Sequence, residues 1–384
     1  MLTTPYKWIS QYLFGFFFAY GVYLPFWSIW FEGQGVSPSD IGILIGTGFA
    51  TRCLSNMVLT PRLHKFETII PALRWLSILS FIVIGCHLFI SGSFWLMMLA
   101  TIIFGFLCGP AMPLMDALTN YYNRLNILDY GRTRLWGSIA FIVGSTAVGF
   151  LVKHYGTDMI IYTAMVGFLF AIIISFMKIS PAPVSAPLEN SDSIKLSTLL
   201  KEPRTLRFLL LISLIQGSHA AFYSFSSIHW HAAGHSSEII GFLWGLGVVA
   251  EISLFMYGKH LLTRFSINTL FTIASIGVMV RWGLTASTTN LSALIIIQLL
   301  HGVTFAMAHI AAIKYIQLEQ ESKTVPLQAL YNAIPLGAFM AAMTAISGWG
   351  YQLWGANIFW LMAAMGFASL FVRLKQPQQQ ATTE

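Results

Sequence analysis

Along the chain, long apolar runs alternate with short polar stretches, and the runs are too long and too unbroken for the amphipathic helices of a soluble domain. They begin near residues 8, 39, 69, 93, 134, 158, 205, 237, 268, 290, 327 and 355. Each holds the roughly 20 residues that a helix needs to cross a hydrocarbon core. The pattern predicts an all-α membrane protein of twelve transmembrane helices. Between Ile179 and Arg204 the chain becomes polar and proline-rich, through Ser-Pro-Ala-Pro-Val-Ser-Ala-Pro-Leu-Glu-Asn-Ser-Asp-Ser, as a flexible linker does. This stretch divides the runs six and six. An N-terminal six-helix bundle is expected over 1–180, a cytoplasmic linker over 181–203 and a C-terminal six-helix bundle over 204–384.

The halves echo one another at an offset of 199 residues: Phe26 with Phe225, Ser28 with Ser227, Gly35 with Gly234, Ile41-Gly42 with Ile240-Gly241, Leu44 with Leu243, Gly46 with Gly245 and Gly48 with Gly247. A run of matches in one register points to parallel repeats around an axis along the membrane normal, with a substrate site between them near midplane. The same register sets Arg52 opposite Glu251. The pair reads either as a structural ion pair or as two groups facing a shared cavity.

Composition agrees with a membrane class. The 384 residues are 56% hydrophobic and only 9% charged, and mean hydropathy is +0.71; soluble domains are about 25% charged. The formal charge is +7, and its distribution matters more than its size. With the N-terminus inside, Lys7, Arg62, Lys65, Arg74, Arg124, Arg132, Lys178, Lys195, Lys201, Arg204, Arg207, Lys259, Arg264, Lys314, Lys323, Arg373 and Lys375 fall at inner loops and helix ends, and only Lys153 falls outside. Positive residues stay on the cytoplasmic side, so both termini are expected to be cytoplasmic. The basic balance therefore reflects orientation in a lipid bilayer and not a nucleic-acid partner. The first run lacks the basic flank and cleavage site of a secretory signal. Cys53, Cys86 and Cys108 lie within predicted spans and make no disulfide framework. His229 and His231 lack a third ligand nearby, so no metal is expected.

Within the runs stand Arg52, Asp116, Arg134, Glu251, Arg281, His301 and His309, with His219 in the seventh. An ionisable group at membrane depth is costly and marks a functional site by default. Pro110 and Pro113 predict a kink in the fourth helix. No catalytic triad order, phosphate-binding glycine loop or metal cluster is present, so an enzyme is not expected.

Several segments resemble a known family. Val22-Tyr-Leu-Pro-Phe-Trp-Ser-Ile-Trp30, Asp129-Tyr-Gly-Arg-Thr-Arg-Leu-Trp-Gly-Ser138 and the stretch from Gln298-Leu-Leu-His-Gly302 through Lys314-Tyr-Ile316 look like lactose permease and its proton-coupled relatives. Gln216-Gly-Ser-His-Ala-Ala221, Gly247-Val-Val-Ala-Glu251 and Val280-Arg-Trp-Gly283 look more specifically like the phenylpropionate permease family of the major facilitator superfamily. The resemblance runs nearly end to end. It implies the major facilitator fold and places Asp116 and Arg134 where lactose permease has a substrate-binding Glu and Arg, and Glu251, Arg281 and His301 where it has Glu, Arg and His. Phe141 stands where the sugar carrier stacks a galactose ring on Trp, and Thr304 where it keeps its proton-carrying carboxylate.

These departures have a chemical reading. Arg52, Arg134 and Arg281 face Asp116 and Glu251, which leaves one surplus positive charge for a monocarboxylate substrate to neutralise. An arginine fork binds a carboxylate in a bidentate manner. Trp136, Phe141, Trp282, Phe222 and Tyr223 offer aromatic surface for a phenyl ring. Glu251 leads the candidates for proton coupling, with His301 and His309 as alternatives. The expectation is a proton-driven symporter of an aromatic monocarboxylate, 3-phenylpropionate, in a bacterial inner membrane. It would work as a monomer, without a cofactor, on the proton gradient. Alternatives are symport of a neutral sugar or nucleoside, and a membrane sensor that binds such a ligand without moving it.

Overall fold

The computed structural model describes residues 2–63, 65–90, 92–185, 196–262 and 264–374. Apolar runs become helices where a capping residue or proline starts them. Helix α1 (Pro5–Gly33) opens on Thr4, whose hydroxyl accepts from the Lys7 amide, with Pro5 in the first turn. Helix α2 (Pro38–Val58) opens in the same way on Ser37 and Pro38. After α3 (Phe66–Cys86) and α4 (Phe94–Arg124), Asp129 caps α5 (Tyr130–Tyr155) through the Arg132 amide at 2.7 Å, and α6 (Met159–Ser175) completes the first six. The second six are α7 (Pro203–Ala232), α8 (Ser237–Leu262), α9 (Ile267–Ser287), α10 (Leu291–Gln317), α11, through Glu321–Ala333, Ile334–Phe339 and Met340–Trp354 in succession, and α12 (Ile358–Ser369).

Among the described residues ten helical runs are long and apolar enough to cross a membrane, and Met159–Ser175 is a shorter apolar helix. The last of the ten, Ser322–Ser369, has 48 residues, which at ~1.5 Å each exceeds twice a ~30 Å core. It turns back at Gly355, whose φ of +56° suits a residue without Cβ, and so supplies both α11 and α12. The helical ladder of α4 is interrupted at Gly109 and Pro110, where proline predicted a kink, and that of α7 at Ser218 and His219. Helices α10 and α11 each contain a wide π turn, at Gly302–Met307 and Ile334–Phe339, which the sequence pattern did not show.

Helix α1 packs against α5 and α6, and α9 against α12. The repeat counterparts α1 and α7 are the most enclosed spans, with 72% and 83% of their apolar windows buried. Two seams join the halves, α2 against α11 and α5 against α8. In both, glycines bring the helix backbones into direct contact. A Cβ on Gly42 would lie 2.6 Å from Gly348 Cα, and one on Gly46 would lie 2.8 Å from the Ala341 carbonyl. In the other seam Gly149 abuts the Ser237 backbone and Gly241 the Ser145 backbone. At the offset of 199, Gly42 maps to Gly241 and Gly149 to Gly348, so the repeated glycines are one packing device used twice.

At one end of these seams Lys153 Nζ meets Glu238 Oε2 at 2.5 Å, His154 Nε2 lies 3.7 Å from Glu238 Oε1, and the Ser39 amide donates to Gln352 Oε1 at 3.1 Å. Among the described residues the two contacts to Glu238 are the ion pairs that cross between the halves, and both lie at that end. The start of the expected linker is docked and not free. Ser185 donates through its amide and hydroxyl to the two Glu67 carboxylate oxygens at 2.7 Å each, and Tyr122 donates to the Pro181 carbonyl at 2.7 Å. Leu2–Thr3 pairs in parallel with Lys178–Ile179 beside it. The rest of the Pro-rich stretch, 186–195, lies outside the described residues.

Candidate functional site

On the N-terminal side, the cap at Asp129 starts α5 so that Tyr130, Arg134 and Phe141 fall on one face, four and seven residues apart. That face meets α1 and α4. Arg134 Nε lies 3.5 Å from Asp116 Oδ1, which also accepts from the Tyr130 hydroxyl at 3.2 Å, and the guanidinium carbon sits 4.4 Å from the centre of the Phe17 ring. Gly137 lets the Phe17 ring and the Arg134 guanidinium come this close to the α5 backbone. One turn further along α1, Tyr20 packs edge-on against Phe17 and Phe141 with ring centres 6.2 Å apart in both cases. Arg52 Nη1 donates to the Tyr20 hydroxyl at 3.1 Å. Within the bundle the Asp116 and Arg134 side chains keep 35% and 27% exposure, so the pair borders an open space and is not sealed in the core.

On the C-terminal side the charges are arranged in two layers. Glu251 is 27% exposed and reaches His301 Nε2 at 3.7 Å. Behind it Arg281 is fully buried, sandwiched by Phe222 and Trp282 at 4.7 and 4.4 Å from their ring centres. Its partners are neutral: His301 Nδ1 at 2.9 Å, Thr304 Oγ1 at 3.0 Å and Gln298 Oε1 at 3.2 Å. The Arg281 Nε and Gln298 Nε2 donors have no partner among the described residues. Thr304 is also met by His219 Nε2 at 3.2 Å, so a hydroxyl links the broken α7, α9 and α10 where the lactose permease pattern has an acid. The π turn in α10 lines up His301, Phe305 and His309 as one column of near-parallel rings, 5.2 and 6.5 Å apart. His309 Nδ1 lies 2.7 Å from the Tyr331 hydroxyl, apart from the Glu251 layer.

The structure therefore brings Asp116, Arg134, Phe141 and Arg52 together on one side, and Glu251, His301 and Arg281 on the other. Across the gap Glu251 lies within electrostatic reach of Arg134, and Tyr223 within that of Tyr20 and Glu251. One alternative falls away and one expectation changes. Arg52 and Glu251 form no ion pair; each has a partner in its own half. Trp136 is not on the wall: two residues from Arg134 on an α-helix is about 200° of rotation. It belongs to a row with Val143 and Phe150 that is 40%, 43% and 50% exposed, and its Nε1 donates to the Tyr6 hydroxyl at 3.0 Å. That row faces outward, toward lipid.

Sequence reasoning missed Phe17, Tyr20, Tyr130 and Gln298. For Tyr20 a signal existed: the 199-residue register places it on His219, which was singled out, and each reaches a polar partner on a neighbouring helix, Arg52 or Thr304. Phe17 looks like an ordinary residue of any such span, and Tyr130 and Gln298 lie inside the quoted motifs without anything there to mark their polar contacts.

Twelve helices in two halves around paired charges at membrane depth define a multi-pass membrane transporter with the major facilitator fold. The nucleoside transporter NupG superposes with a TM-score of 0.79 at 14% identity, over 96% of this chain and 98% of that one. The POT family transporter PepTSo gives 0.70 at 9% identity, over 96% of each chain. Residues 6–362 match the MFS_1 like family, and the chain belongs to it. A probable 3-phenylpropionic acid transporter of Escherichia coli is 38% identical over 96% of this chain and 97% of its own length. Maltose permease of Geobacillus stearothermophilus is 24% identical over 69% of this chain and 67% of its own.

Proposed function

We propose that this transporter imports an aromatic monocarboxylate of the 3-phenylpropionate type together with protons, across a bacterial inner membrane and with both termini in the cytoplasm. The observation that carries the reading is the charge balance of the site. Three guanidinium groups stand against two carboxylates, with Arg281 in a buried layer behind Glu251, and the unmatched positive charge lies among phenyl and indole rings. A buried charge without a counter-ion is unfavourable, and a substrate carboxylate supplies one while its ring packs on Tyr20 and Phe141. The relative named for 3-phenylpropionic acid supports the same substrate class.

Segments 1–180 and 204–384 act as the two bodies, joined by 181–203, that open alternately to either side. Glu251 carries the proton. Its carboxyl is open to the space between the halves and touches His301, so it can take a proton from one side and lose it to the other as access alternates. His301 and His309 are the other groups on that face able to do so. The carrier works as a monomer, with no cofactor beyond the proton gradient. Uptake of labelled 3-phenylpropionate into proteoliposomes, with and without an inward proton gradient, tests the reading. Gradient-dependent accumulation supports it. Binding without accumulation would make the protein a sensor, and accumulation of a sugar or nucleoside unaffected by 3-phenylpropionate would assign a neutral substrate.

A further inference from the structure

The role of Tyr20 follows from where its hydroxyl hydrogen can go. Arg52 Nη1 donates to the Tyr20 oxygen at 3.1 Å, and the Arg52 guanidinium carbon lies 5.1 Å from the centre of the same ring. An arginine has only donors, so this contact uses a lone pair of the hydroxyl and leaves its O–H to point elsewhere. Among the described residues no acceptor takes that hydrogen. Tyr20 is half-buried and stands against Phe17, the ring that also carries Arg134, and against Phe141. Arg134 in turn meets Asp116 through Nε, and its guanidinium also lies within reach of the Tyr130 hydroxyl. One wall thus presents a partly exposed guanidinium and a phenol O–H, the latter without an acceptor among the described residues, on either side of one aromatic ring.

We infer that Tyr20 is the second anchor of the substrate carboxylate: Arg134 Nη donates to one oxygen, the Tyr20 hydroxyl to the other, and Arg52 is the positioning residue that directs the hydroxyl hydrogen into the cavity. The inference rests on the carboxylate substrate proposed above. It gives Arg52 an indirect part, since the cation strengthens the phenol as a donor without touching substrate. A hydroxyl that accepts from a cation while donating to an anion is the cooperative, charge-assisted arrangement in which hydrogen bonds are strongest.

The test is equilibrium binding of labelled 3-phenylpropionate to the purified full-length protein, with 3-phenyl-1-propanol as the uncharged competitor. Tyr20→Phe removes one oxygen atom from a ring whose packing stays. It is expected to weaken 3-phenylpropionate binding about tenfold or more, the scale of a hydrogen bond to a charged group, while the alcohol competes within about twofold of wild type on that same scale. Arg52→Gln is expected to match Tyr20→Phe. The double variant should bind no more weakly than the worse single one, and Arg52→Lys should recover part of the loss. A residue that merely supported the fold would weaken acid and alcohol alike. Wild-type affinity in Tyr20→Phe, or additive losses in the double variant, overturns the inference and leaves the carboxylate reading standing. Failure of the wild type itself to bind 3-phenylpropionate sinks both.

Discussion

Replacing Gly42 by alanine should open the end of the transporter that carries Lys153 and Glu238. The added Cβ would meet Gly348 Cα at 2.6 Å, Gly348 N at 2.9 Å and the Thr344 carbonyl at 3.0 Å. All three are backbone atoms of α11, so no side chain can swing aside. Ordinary contact begins near 3.4 Å, so the two helices must part by most of an ångström. Overpacking a close-packed contact costs about 1–3 kcal/mol. The strain acts only while the seam is closed, so it shifts the closed-to-open ratio by about 5- to 150-fold, at ~1.4 kcal/mol per factor of ten. Spin labels on cysteines at Asp158 and Ala233, exposed loop positions of opposite halves at that end, read the shift as a longer distance population, in a background where Cys53, Cys86 and Cys108 are replaced. A variant that keeps the wild-type distance distribution while folding normally would refute the reasoning. A variant that loses thermal stability without any new distance would show the seam to be a support and not a moving contact.

Other expectations follow from the site. Arg134→Gln should weaken 3-phenylpropionate binding about ten- to hundredfold, the worth of a charge-assisted hydrogen bond of ~1.5–3 kcal/mol; unchanged affinity in a binding assay would move the anchor to Arg52 or Arg281. Glu251→Gln fixes the carboxyl in an uncharged form, so counterflow of labelled against unlabelled substrate should persist while uphill accumulation is lost; if accumulation persists and His301→Gln or His309→Gln abolishes it, a histidine carries the proton. Trp136→Leu should leave uptake within about twofold of wild type, as expected for an outward-facing residue away from buried partners; a larger loss, with normal membrane content, would return Trp136 to the substrate wall.

Much of the architecture could be read from the chain because a bilayer enforces it: apolar length sets the spans, and the cost of burying charge picks out Asp116, Arg134, Glu251 and Arg281 among hundreds of residues. The repeated glycines at 42, 46, 241 and 245 also announced a shared environment, although only the packing shows that they form the seams. What was hidden depends on rotation about helix axes. Trp136 follows Arg134 in a motif yet faces the other way, because neighbours in sequence are far apart around a helix. The π turn at Gly302–Met307 adds a residue to one turn with no marker in composition, and so brings His301, Phe305 and His309 into register. Arg281 counts by sequence among the charges that line the cavity, whereas His301 stands between it and Glu251. Neutral partners such as Thr304 and Gln298 leave no sign in a count of charges.

The surplus guanidinium charge also makes the carrier sensitive to voltage. A cavity open to one side takes nearly the potential of that side, so alternation moves the membrane field past Arg52, Arg134 and Arg281. One elementary charge in a 100 mV field is worth up to about 2.3 kcal/mol. In the proposed orientation, with the interior negative, the empty carrier is drawn toward the form that opens inward, the form in which the Lys153 and Glu238 end is shut. Under the proposed symport, a bound carboxylate cancels the surplus and removes that pull, and a proton taken up with it restores the charge. One substrate anion moving inward with one proton therefore leaves the inward and return steps carrying equal charge. The membrane potential then decides where the resting carrier waits, and the pH difference alone decides how far the substrate is concentrated.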